Sequence, residues 1–184
     1  IRGTGEPGAT VTVTSPTGEV LTTTVAADST WSVTPGTALP DGAASFAVTA
    51  TDAAGNTAST MVSLTVDSVA SATITVNAIT ADNAVNAAEA GGTIVVTGTV
   101  GADARVGDTV TLVVNGVTYT GTVTPGLTYS INVAGSNLAG DTSIDASVKG
   151  TDTAGNSTTA STVHTHGVDT TAPGTPVVVI TEDT

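Results

Sequence analysis

Apolar and polar residues alternate along most of this chain, and no stretch sustains an apolar period of 3.6 residues, so the pattern predicts strands throughout. Thr10-Val11-Thr12-Val13 alternates, Ser15-Pro16-Thr17-Gly18 turns the chain, and residues 20–25 return it as a hairpin. Residues 30–33, 45–50 and 59–66 read as the remaining strands of a first unit. A second unit is expected to place strands at 73–79, 93–100, 109–114, 117–123, 127–133, 142–150 and 157–166, with polar loops at 80–92 and 134–141. Between two of these strands, Asn115-Gly116 suits the positive φ of a type I′ hairpin turn. Seven strands is the count of an immunoglobulin-like sandwich.

A short loop sets the period. Thr51-Asp52-Ala53-Ala54-Gly55-Asn56 recurs as Thr151-Asp152-Thr153-Ala154-Gly155-Asn156, an offset of 100 residues, the length of one small β domain. Each copy leads through a β-rich run to a Val-Asp step, Val66-Asp67 or Val168-Asp169. Aligning the units pairs Trp31 with Tyr129 and Glu6 with Asp103, and matches residues 176–183 to 75–82. The expected architecture is therefore all-β, with tandem immunoglobulin-like β-sandwich domains arranged end to end. Residues 1–67 form a repeat lacking its first strand, 68–169 a complete repeat, and 170–184 the first strand of a third. Ends cut within repeats would let a strand be lent head to tail between molecules. Frayed ends are the commoner outcome, and a monomeric segment is expected.

Composition narrows the chemistry. The 39% hydrophobic content rests on Ala and Val, with one Trp, two Tyr and one Phe, so each core must be thin and aliphatic. Sixteen acidic residues against three basic ones give a net charge of −13, which repels nucleic acid and anionic membrane surfaces and makes cations the natural partners. With no Cys there are no disulfide staples, which leaves metal as the substitute. No apolar run approaches the ~18 residues that span a bilayer, so membrane insertion is not expected. Because the first residue lies inside a repeat, the absence of a signal peptide says nothing about export.

Strand parity turns the acidic positions into geometry. In the second unit Asp103, Asp152 and Asn156 fall at the pole facing the preceding repeat, while Asp82, Glu89, Asp141 and Asp169 fall at the other. Stacked repeats would bring Asp67, and Asp41 with it, toward Asp103, Asp152 and Asn156. Carboxylates so gathered repel one another more as water is excluded. Ca²⁺, which takes six to eight oxygens in adaptable geometry, fits better than Mg²⁺. The run Asp82-Asn83, Asn86 and Glu89 has the spacing of a cation-binding loop, although not that of a helix–loop–helix hand. Asp-x-x-Gly-Asn is equally good turn chemistry, since Asp and Asn cap their own backbone.

The chain resembles the bacterial immunoglobulin-like repeats of giant adhesins from Gram-negative bacteria, a group that includes RTX and biofilm-associated adhesins. The residues that carry the likeness are Thr-Asp-Ala-Ala-Gly-Asn, Gly5-Glu6-Pro7-Gly8-Ala9-Thr10-Val11-Thr12-Val13, Val168-Asp169-Thr170-Thr171-Ala172-Pro173 and the stretch 79–91. The resemblance implies a type I-secreted, extracellular protein at the bacterial cell surface. Within it, this segment would be one part of a stalk of many repeats, stiffened by Ca²⁺ at the linkers and carrying a terminal ligand-binding domain. By position it makes Glu6 and Asp103, Asp52 and Asp152, and Asp67 and Asp169 the metal candidates. The first linker, Val66-Asp67-Ser68-Val69-Ala70, lacks the proline that follows Asp169, and Asp108 ranks below the others because Ala9 is its counterpart.

Other chemistry finds little support. His164-x-His166 would put two imidazoles on one face of a strand, but with no third nitrogen or thiolate it reads as a solvated strand end. Neither histidine sits in a nucleophile motif, and paired acids for glycoside hydrolysis would need sugar-stacking aromatics that the chain does not supply. Trp31 and Tyr129 read as the main core aromatic of each sandwich. The expectation is a non-enzymatic, calcium-bound extender whose partners are neighbouring repeats and calcium ions. The rival is a repeat that itself binds a glycan or host surface ligand.

Overall fold

The computed structural model describes residues 1–180, which form two units, Ile1–Val69 and Ala70 onward. The boundary lies two residues beyond the expected one. Asp41 accepts a hydrogen bond from the Ser68 backbone N–H at 2.9 Å and fixes Ser68 to the first unit, whereas Ser71 donates to Asp103 of the second.

Unit 1 contains β1 (Arg2–Thr4), β2 (Thr10–Thr14), β3 (Val20–Thr24), β4 (Thr30–Ser32), β5 (Gly42–Thr51) and β6 (Thr57–Val66). These make a four-stranded sheet in the order β3-β2-β5-β6 and a two-stranded sheet β1-β4. Alternation in β2 and β5 turns Val11, Val13, Phe46 and Val48 inward to a small core, with Trp31 and Leu21 partly buried against it.

Unit 2 contains β7 (Ala72–Ile74), β8 (Ala84–Asn86), α1 (Ala87–Ala90), β9 (Thr93–Ala102), β10 (Thr109–Val114) and β11 (Val117–Thr122). It continues with β12 (Thr128–Ala134), α2 (Gly135–Gly140), β13 (Ser143–Thr151), β14 (Ser157–Thr165) and β15 (Gly167–Asp169). A three-stranded sheet, β12-β9-β7, faces a four-stranded one, β11-β10-β13-β14, the layering of a β-sandwich. The core lies between them and includes Ile74, Val96, Leu112, Tyr129, Ile131 and Ile144. Asn115 and Gly116 have φ of 48° and 72°, as a type I′ turn requires.

Two expectations are corrected, both in the loops of unit 2. The polar loop at 80–92 holds β8 and α1, and β8 pairs in parallel with β15, placing Val85 opposite Val168. That pairing joins residues more than 80 positions apart, so no local pattern announces it. The loop at 134–141 contains α2, whose Leu138 is fully buried; one large apolar residue in six gives no legible helical period. Residues 170–180 carry no strand, and the remainder of the expected third-repeat strand, 181–183, lies outside the described residues. A strand of this kind needs a sheet to pair with.

Candidate metal-binding loops

In unit 2 the loops at one pole converge as strand parity predicts. β13 delivers Asp152, and a Cβ placed on Gly150, two residues earlier, would stand 3.1 Å from the carbonyl carbon of Asp103 and the nitrogen of Ala104. The Asp103 loop and the Asp152 loop are therefore packed against each other. Asp103 accepts hydrogen bonds from the Ser71 N–H at 2.8 Å and the Ser71 hydroxyl at 3.1 Å, which anchors the start of unit 2 to this pole. Asp152 is 8% exposed; its Oδ1 accepts the Asn156 N–H at 2.9 Å and its Oδ2 the Asn156 side-chain amide at 2.8 Å.

Unit 1 repeats the arrangement. Glu6, Asp52 and Asn56 line one cavity of about 390 Å³ with Thr4, Ala9 and Ala50. Asp52 Oδ1 accepts the N–H groups of Ala54 and Asn56, and Oδ2 accepts the Asn56 amide at 2.7 Å. Oδ1 is thereby filled, while Oδ2 keeps a lone pair. Asp52 is less covered than Asp152, because the residues around Ala72 that pack beside Gly150 in unit 2 have no counterpart in unit 1 among the described residues. Asp67 accepts the Val69 N–H at 3.4 Å within the linker.

At the opposite pole of unit 2 the β8–β15 ladder sets Asp169 directly opposite Asn86. Here the carboxylates cap backbone. Glu89 accepts the Asn86 N–H at 2.9 Å while Asn86 accepts the N–H groups of Ala88 and Glu89, a capping box that starts α1. Asp82 accepts the Thr80 hydroxyl and the Ala84 N–H, and Asp169 accepts the N–H and hydroxyl of Thr171. In this structure Asp82, Asn86 and Glu89 each accept a backbone N–H, and Asn83 reaches sideways to the Thr165 carbonyl.

These bonds favour the charged forms. Hydrogen bonding from the Asn156 side chain outweighs burial and holds the Asp152 carboxyl below its ordinary value of 3.8. The Asn56 side chain does the same for Asp52, the Thr80 hydroxyl for Asp82 and the Thr171 hydroxyl for Asp169. All four are anionic at neutral pH. Among the described residues, no three His, Cys, Asp or Glu side chains form a group that could hold a metal ion by themselves. The donors available are hard oxygens, which match Ca²⁺ over transition metals.

The histidines differ from the expected solvated strand end. His166 follows β14, is 6% exposed, and donates from Nε2 to the Leu138 carbonyl at 2.8 Å, so it ties β14 to α2. His164 Nε2 stands 2.9 Å from the Asn83 Oδ1, and burial first, then the neighbouring His166, lowers its pKa from 6.5. No sequence signal points to this role, because residues 135–140 carry no helical period.

A sequence profile described as the bacterial Ig-like domain matches residues 1–68. A crystal structure of a bacterial immunoglobulin-like domain from the M. primoryensis ice-binding adhesin is 51% identical over 55% of this chain and all of that one, with a TM-score of 0.53. The chain belongs to the bacterial immunoglobulin-like domain family. A second structure in which this Ig-like pair finds a likeness is a Ca²⁺-stabilized adhesin with which an Antarctic bacterium reaches out and binds ice. It is 48% identical, with 93% of this chain and 44% of that one covered and a TM-score of 0.68. A third comes from a 1.5-MDa bacterial ice-binding adhesin studied for its host cell surface retention, 42% identical over 92% of this chain and 57% of that one, TM-score 0.71. The Ig-like pair therefore spans about half the length of the first two relatives. No curated protein matches the chain.

Proposed function

We propose that this chain is a non-enzymatic extender segment of a large adhesin exposed at a bacterial cell surface, type I-secreted and serving adhesion and biofilm formation. Calcium bound by its loop and linker carboxylates would order the repeats. The observation that carries this reading is recurrence. Both units place an acidic residue before strand 10–14 or 109–114 and an Asp-Asn pair after the long central strand on one pole. A stalk built by repetition requires such sameness, whereas a ligand-specific domain does not.

Asp103, Asp152 and Asn156 are the first candidate ligands, Glu6 and Asp52 their counterparts, Asp67 a further one on the linker, and Asp82, Glu89 and Asp169 those of the other pole. They supply fewer oxygens than the six to eight that Ca²⁺ takes, so backbone carbonyls and water would complete each shell. Ion binding would relieve repulsion among carboxylates that the fold already keeps ionised. For an extracellular-type site with Kd near 10⁻⁴ M, millimolar Ca²⁺ stabilises by ~1.4 kcal/mol per site.

Isothermal titration with CaCl₂, paired with small-angle scattering in calcium and in chelator, tests this. Heat of binding and a larger maximum dimension in calcium are expected. No binding, or the same dimension in both conditions, would remove calcium from the reading.

A further inference from the structure

The C-terminal end of β14 carries two histidines that unit 1 does not share. The long central strand fixes the register in both units: Ile144 pairs with His164 as Ala44 pairs with Leu64, and the His166 N–H bonds to the Thr142 carbonyl where Val66 pairs with Gly42. Unit 1 therefore fills the two places with Leu64 and Val66. Apolar side chains suit these places, so packing alone does not call for imidazoles.

Both rings are held in one protonation pattern. His166 gives its Nε2–H to the Leu138 carbonyl at 2.8 Å, which leaves Nδ1 as the lone-pair nitrogen. That Nδ1 is buried without a hydrogen-bond partner, the one side-chain nitrogen or oxygen of this kind among the described residues. A proton added there would find no acceptor and would place a charge away from water. His164 Nε2 stands 2.9 Å from Asn83 Oδ1, which also accepts the Ile79 N–H at 3.3 Å. The His164 ring therefore donates to Asn83, and its Nδ1 is again the place for a second proton.

Asn83 connects these rings to the parallel ladder. Its Nδ2 donates to the Thr165 carbonyl and its own carbonyl accepts the Gly167 N–H, both at 2.9 Å. Gly167 opens β15 and pairs with Ala84 of β8. One loop residue thus holds His164, Thr165 and Gly167 together. The carboxylates around the pair come from other elements. Asp141, between α2 and β13, accepts the Ser143 and Asn115 N–H groups; Asp82, before β8, accepts the Thr80 hydroxyl and the Ala84 N–H; Glu89 of α1 accepts the Asn86 N–H. Thr142 and Ile144, across from the rings, are uncharged. Hydrogen bonds from the Thr80 and Ser143 side chains hold the Asp82 and Asp141 carboxyls below 3.8, so neither changes charge in the range of about pH 5 to 8 where histidine does.

We propose that His164 and His166, tied through Asn83 and the Leu138 carbonyl, form an acid-sensitive clasp that holds β15 on β8 while both imidazoles are uncharged and releases it as they take up protons. Water reaches the two Nδ1 atoms when the Asn83 loop lifts from β14, so protons favour the lifted state. The sign agrees with burial, which lowers the His164 pKa from 6.5. With the folded value below the unfolded one, the clasp is complete above about pH 6.5 and weakens as the pH falls below it. Unit 1, with Leu64 and Val66 in these places, has no such dependence. The device does not require calcium.

Amide hydrogen exchange of the whole chain, followed by NMR in chelator between about pH 7.5 and about pH 5, tests this. The Gly167 amide, bonded to the Asn83 carbonyl, reads the clasp; the Val100 amide, bonded to the Leu127 carbonyl in the other sheet, is the control. Corrected for the intrinsic pH dependence of exchange, Gly167 protection is expected to fall about tenfold, within the ceiling of about 30-fold for one histidine that stays uncharged in the closed clasp. Val100 protection should not change. His164→Leu with His166→Val, the side chains of unit 1, should make Gly167 protection independent of pH. Should that pair fail to fold, His164→Gln, which keeps a donor toward Asn83 and cannot ionise, should reduce the fall. Wild-type protection that does not change with pH, or a fall of the same size in the variants, would overturn the proposal. An equal fall at Gly167 and Val100 would mean that unit 2 opens as a whole and would overturn the local clasp.

Discussion

The Tyr129 hydroxyl shows how one atom joins two strands. It crosses above Gly98, where any Cβ would collide with the ring and with the Thr75 carbonyl, and donates to that carbonyl at 2.8 Å. Burial pushes its pKa up to about 12, so the phenol stays protonated and donating. Tyr129→Phe is expected to cost unit 2 about 1 kcal/mol in urea denaturation, the usual net value of a hydrogen bond whose acceptor can be rehydrated. The folded pKa lies above the unfolded value near 10, so the contribution is complete below pH 10 and is lost as pH rises toward 12. Alkaline titration of stability should show this loss in the wild type and not in the phenylalanine variant. The acid side runs the other way. Asp52, Asp82, Asp152 and Asp169 have pKa values held below 3.8, so they stabilise above that pH and their contribution fades as pH falls below it.

Among the elements, α1 is the clearest case of local chemistry serving a non-local contact. Four residues cannot sustain a helix through propensity alone, and the Asn86–Glu89 capping box supplies the partners its first turn would otherwise lack. Asn86 also belongs to β8, opposite Asp169, so the cap and the parallel ladder share a residue. Asn86→Ala should destabilise unit 2 by about 1 kcal/mol, read as a lower urea midpoint with an unchanged slope. If calcium protected the variant fully, Glu89 would be acting as a metal ligand rather than as a cap. β7 carries a comparable double role, because it covers both β14 and the neighbourhood of Asp152.

For the whole molecule, the two units differ in how completely they are closed. Unit 1 buries six core residues in its cluster and unit 2 eighteen, so unit 1 should melt first. Calorimetry at low protein concentration is expected to show two transitions, with Trp31 emission following the lower one; a single transition seen by both probes would contradict this. Alternation, the Asn115-Gly116 turn and the recurring Thr-Asp loop determined the strands, the repeat length and the pole at which Asp103 and Asp152 meet, because each depends on local periodicity or on counting reversals. Tertiary structure alone placed the backbone N–H groups that Asp82, Glu89 and Asp169 accept from, since spacing does not show which amides fold back onto a carboxylate. It also decided the parallel β8–β15 pair and the buried His166. Each of these arises from contacts between residues far apart in the chain, and nothing in the local pattern of side chains encodes which distant edge a strand will find.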